Sequence, residues 1–114
     1  MKYYLQQMRD AYCEAAYFTD SPEDIEEKSE AELSSDFENQ AYAACLNFEN
    51  ACCTLEISLR DLYPNPEQIG HDLWLTRNGH GAGFWDRKEI YGDHADLFTG
   101  MARAMGYHEI DFIE

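Results

Sequence analysis

The sequence predicts an α+β fold: a helical N-terminal half packed on a small antiparallel three-stranded sheet, in the order α-(α)-α-β-β-α-β, forming a single domain over residues 1–114. Three observations predict it. Apolar residues recur at three- and four-residue spacing through the first half, an alternating pattern replaces that spacing after two prolines, and a glycine-rich turn divides the alternating stretch. A length of 114 residues with 45% hydrophobic and 14% aromatic content suits one domain with a real core.

Tyr4, Leu5, Met8, Ala11, Tyr12, Ala15 and Ala16 form one apolar stripe, so residues 2–18 read as an amphipathic helix. Ser21 suits an N-cap, Pro22 the first helical position and Asp24 the third, which starts a short acidic helix or turn over residues 22–32. Ser34 or Ser35 caps a second long helix. Its stripe runs Phe37, Ala41, Ala44, Cys45, Phe48, Ala51, Cys52, Leu55, Leu59 and Leu62, a length of about 26 residues or about 40 Å. Tyr63-Pro64-Asn65-Pro66 ends it.

In the next stretch Leu73 and Leu75 alternate with Asp72, Trp74 and Thr76, which predicts a strand. Asn78-Gly79-His80-Gly81 supplies turn chemistry, and residues 82–87 return as a second strand. Asp93 then caps a helix with Leu97, Phe98, Met101, Ala104 and Met105 on its apolar face and Gly106 at its end. Residues 107–113 alternate again and read as the closing strand.

The hairpin, Gly-His-Asp-Leu-Trp-Leu-Thr-Arg-Asn-Gly-His-Gly-Ala-Gly-Phe-Trp-Asp-Arg over residues 70–87, holds both tryptophans, two of the four histidines and four of the seven glycines. It resembles the signature of a family of small acidic proteins of unassigned function from tailed bacteriophages. In that family too an acidic helical half precedes the signature, and a short helix and strand follow it. The resemblance implies a phage origin and expression in a host bacterium, and it carries no catalytic residues.

The formal net charge is −15. Residues 1–38 hold eleven acids against three bases, so most of the surface repels nucleic-acid backbones and anionic membranes and attracts basic partners. No run approaches the length of a membrane span, and Met1-Lys2-Tyr3-Tyr4-Leu5-Gln6-Gln7 turns polar too early for a secretory signal. The host bacterial cytoplasm is the expected location. Cys13, Cys45, Cys52 and Cys53 sit beside Ala and Leu without a CxxC pair and read as reduced thiols. A zinc site from Cys45, Cys52 and a histidine is a poor alternative, because structural zinc usually takes ligands from tight turns.

Four chemistries compete for the remaining residues. His71, Asp72, His80, Asp86 and His94 are of metal-ligating type but lack a fixed ligand spacing, so a small metal-dependent enzyme ranks below structural use. Asp72 and Asp86 offer a carboxylate pair, and Gly79, Gly81 and Gly83 imitate a phosphate loop that leads into no helix. Trp74, Arg77, Trp85 and Arg87 would serve a single-stranded nucleic-acid-binding module by stacking and phosphate contact, against the total charge.

The leading expectation is a non-enzymatic phage accessory protein without cofactor or metal. It would bind, and inhibit, a basic host protein of nucleic-acid handling or defence by imitating duplex charge with Glu23, Asp24, Glu26, Glu27, Glu30, Glu32, Asp36 and Glu38. A solvated acidic face accounts for that run equally well. A homodimer through the long helix stays open.

Overall fold

The computed structural model describes residues 3–20 and 33–111. It contains helices α1 (Tyr3–Asp20), α2 (Ser35–Thr54), α3 (Leu59–Leu62), α4 (Pro66–Arg77), a 3-10 turn (Phe84–Asp86), α5 (Lys88–Tyr91) and α6 (His94–Ala104). The α+β expectation and its three-stranded sheet are overturned: among the described residues there is no strand, only an isolated bridge position at Leu33. Next to it the Ser34 N–H donates to the Asp111 carbonyl at 3.0 Å. The expected closing strand is therefore irregular chain over 107–111. The short helix expected over residues 22–32 lies outside the described residues.

Helix α1 buries the expected stripe, from Tyr4 through Ala16. Helix α2 begins as its sequence indicates, with the Ser34 hydroxyl accepting from the Phe37 N–H at 3.0 Å. It stops at Thr54 rather than continuing to Leu62. The Ile57 N–H reaches back to the Cys52 carbonyl at 2.8 Å and the Glu56 N–H to Cys53 at 2.9 Å, a Schellman arrangement. Glu56 takes the left-handed position, φ 63°, where glycine is usual, so the stop carries no glycine signal. The turn buries Ile57 and Leu59 and leaves Leu55 and Leu62 exposed, which breaks the predicted stripe in two.

The expected first strand is the body of α4. Pro64-Asn65-Pro66 is a helix start as well as a helix stop: the Asn65 side chain accepts from the Gln68 N–H at 3.3 Å, and Pro66 holds the first position. Leu73 and Leu75 are buried, and so are Asp72, Trp74 and Thr76. A helix enclosed on nearly every side has no polar face to give it a 3.6-residue period, so the local alternation imitated a strand. Gly70 permits this enclosure, because a Cβ there would collide with the Met8 carbonyl of α1.

The expected second strand is a loop and a 3-10 turn. Gly83 has φ 150°, and a Cβ on it would strike the Thr76 hydroxyl. The chain there is held from both sides: the Gly83 N–H donates to Asp86 Oδ1 at 3.0 Å and the Phe84 N–H to Thr76 Oγ1 at 3.0 Å. In α6 the buried face is Ala95, Phe98, Thr99 and Ala102. Of the expected face Phe98 is buried, Met101 and Met105 pack partly against the core, and Leu97 and Ala104 are exposed.

The core contains two aromatic groups. Tyr12, Phe37, Trp74 and His108 form one, with Phe37 stacked on His108 at 4.5 Å and Trp74 edge-on to Tyr12 at 5.3 Å. Phe48, Tyr63, Phe84, Tyr91, His94 and Phe98 form the other, with Phe48 and Phe84 stacked at 5.4 Å. Each side chain of this kind brings a large buried area and, at these separations, a further edge-to-face or stacking attraction.

Candidate interaction surface

Most of the 70–87 signature is engaged in holding the fold. Asp72 is wholly buried and accepts from Arg87 Nε at 2.8 Å, from the Tyr91 hydroxyl at 2.7 Å and from Gln68 Nε2 at 2.9 Å. Three donors on one desolvated carboxylate tie α4 to the start and end of α5. Burial and the Asp72 charge both push the Tyr91 phenol upward, so it stays a donor. The hydrogen bond from Arg87 likewise raises the guanidinium.

Arg77 donates from Nε to the Gly106 carbonyl at 2.6 Å and from a terminal nitrogen to the Tyr12 hydroxyl at 3.1 Å. Asn78 exchanges two hydrogen bonds with the His108 backbone, 2.8 Å and 3.1 Å. The His108 ring meets Tyr12 at 2.6 Å and Gln40 at 3.0 Å. Burial, and next the Arg77 charge, depress its pKa to about 4, so the ring is neutral near pH 7.

The proposed nucleic-acid contacts are not presented together. Trp74 is buried, and its indole N–H donates to the Thr19 hydroxyl at 2.8 Å. Of Trp74, Arg77, Trp85 and Arg87, only Trp85 offers an exposed ring, at 38%, so the four make no stacking platform. The metal-type residues are dispersed as well. Asp72 belongs to Arg87 and Tyr91, Asp86 to the Gly83 N–H, and His94 Nδ1 to the Tyr63 hydroxyl at 2.7 Å. Among the described residues no three His, Cys, Asp or Glu side chains converge as a metal set. Burial raises the thiols of Cys13 and Cys52 to about 12 and that of Cys45 further still, which suits inert core thiols.

Of the eight acidic candidates, Glu23, Asp24, Glu26, Glu27, Glu30 and Glu32 lie outside the described residues. Asp36 and Glu38 are in the first turn of α2, where carboxylates also complement the helix dipole. Each lines a different depression. Glu38 joins Asp10, Cys13, Glu14, Tyr17, Leu33 and Ser35 around a groove of about 490 Å³ between α1 and α2. Asp36 joins Gln40, His108, Glu109 and Asp111 around a second of about 390 Å³.

Six carboxylates thus flank the N-terminal end of α2. Sequence reasoning missed Asp10, Glu14, Glu109 and Asp111. The i, i+4 spacing of Asp10 and Glu14 opposite the Met8–Tyr12 stripe was the available signal. Among the described residues the Arg9 guanidinium answers this group at close range, 2.7 Å from Asp10. No helix of the described residues is long and apolar enough to cross a membrane. In comparisons with protein-family models, curated proteins and solved structures, nothing matches the chain.

Proposed function

We propose that this chain is a phage accessory protein that binds a basic host protein, one handling nucleic acid or serving in defence, and blocks its anionic substrate. The single observation that supports this reading is the convergence of Asp10, Glu14, Glu38, Asp36, Glu109 and Asp111 around two adjoining grooves of a chain with net charge −15. Carboxylates so placed on three elements of one folded body present a fixed negative potential to a partner, as a duplex does. The phage origin comes from the resemblance at residues 70–87, and the non-enzymatic reading from the structural employment of the signature's polar groups.

The test is capture from a bacterial lysate at low and at high salt, with the Asp10→Asn/Glu14→Gln/Glu38→Gln variant beside the parent. The expected result is a basic protein retained at low salt, released at high salt, lost with the variant, and displaced from its nucleic acid by the parent. Capture that ignores both salt and the variant refutes the acidic-surface reading. A bound protein that keeps its nucleic acid refutes the mimicry.

A further inference from the structure

Within the signature, His71 and the outer half of Arg87 take no part in the interior hydrogen-bonding just described. Both line one polar pocket of about 340 Å³, together with Asn65, Glu67 and Gln68 at the start of α4. The Arg87 side chain spends Nε on the buried Asp72. Its two terminal nitrogens make no hydrogen bond among the described residues, and neither does the His71 ring. Asp72 thereby fixes the guanidinium plane while leaving the edge that matches a carboxylate in bidentate fashion.

An apolar groove of about 280 Å³ adjoins this pocket, sharing Asn65 and Gln68 as walls. Leu62, Pro64, Ile69 and Ile90 line it, and Leu62 and Ile90 are 54% and 41% exposed. Together the two depressions fall within the usual size of a small-ligand site. Glu67 in the polar pocket and the charge of −15 disfavour phosphate groups and polyanions. A single carboxylate attached to an apolar side chain satisfies all three features.

We infer that this is a binding site for the C-terminal carboxylate of a peptide ending in an aliphatic residue. Arg87 and His71 hold the carboxylate, and the Leu62/Ile90 groove takes the last side chain. The site lies apart from the acidic grooves and does not depend on their role.

Calorimetric titration with N-acetyl-Gly-Lys-Leu as the free acid and as the C-terminal amide tests it. The acid is expected to bind about tenfold or more tightly than the amide, the loss of one charge-assisted interaction. Glu67→Gln should tighten binding of the acid, and His71→Ala and Arg87→Lys should weaken it. Arg87→Lys keeps a cation beside Asp72 but loses the bidentate edge. If that variant melts before it can be titrated, His71→Ala and Glu67→Gln carry the test. Equal binding of acid and amide, no binding of either, full competition by inorganic phosphate, or indifference to both His71→Ala and Glu67→Gln overturns the assignment.

Discussion

Replacing Asp72 by Asn tests whether the signature is a fold-holding device. The native carboxylate receives donors from Arg87, Tyr91 and Gln68 on its two oxygens. An amide of the same shape keeps one accepting oxygen and turns an NH₂ group toward donors, so at least one of the three bonds is lost and a donor faces a donor. A hydrogen bond to a charged group contributes about 1.5–3 kcal/mol, and breaking a fully buried ion pair costs about 3–5 kcal/mol. The Arg87 side chain keeps 29% of its exposure, and water can solvate part of its charge, so the cost falls between these two figures, about 2–4 kcal/mol.

With an unfolding entropy of about 2.1 cal/mol/K per residue over 114 residues, a loss of about 3 kcal/mol lowers Tm by about 12 °C. Thermal and urea unfolding of the parent, Asp72→Asn, Arg87→Gln and the double variant measure it. The double-mutant cycle should show coupling of about 1 kcal/mol or more, insensitive to added salt. A Tm drop under about 4 °C, or additive single effects, refutes the clamp.

Gly70→Ala should destabilise by about 1–3 kcal/mol in the same unfolding assay, because the added methyl meets the Met8 backbone carbonyl rather than a movable side chain. An unchanged midpoint would mean that α1 and α4 do not cross at this point. His108 favours folding in its neutral form. Its folded pKa of about 4 lies below the ordinary value, so its contribution is complete above about pH 6.5 and is lost as pH falls toward 4. About 2 kcal/mol should be gone by about pH 5. The pH dependence of His108→Asn should be flatter than the parent's over that window, and parallel curves would contradict the buried neutral ring. A thiol reagent at neutral pH should label the exposed Cys53 rapidly and the buried Cys13, Cys45 and Cys52 only on unfolding. More than one fast thiol would count against the helix placement.

Elements bounded by their own local chemistry were legible in the sequence. The α1 stripe, the Ser34 cap and the break at Pro64 rest on spacing and side-chain-to-backbone bonds only a few residues long, and α6 starts after Asp93 as expected although the Asp93 side chain makes no capping hydrogen bond. The acidity was equally legible, since charge is a sum over residues. Tertiary contacts decided the rest. Residues 71–77 are helix because α1 and the Phe84 turn cover the sides that would otherwise be polar, and Asp72 is buried because Arg87, fifteen residues later, returns to meet it.

Likewise, Glu56 accepts a left-handed conformation because the turn it makes buries Ile57 and Leu59. The grooves follow the same division. That this protein is acidic is a property of its composition, whereas the gathering of Asp10, Glu14 and Glu38 requires α1 and α2 to pack. The pairing of His71 with Arg87 at one pocket requires the clamp on Asp72. Composition and short-range spacing act through a few neighbouring bonds and can be read directly. Enclosure and convergence depend on chain segments far apart in sequence, and only the folded packing specifies them.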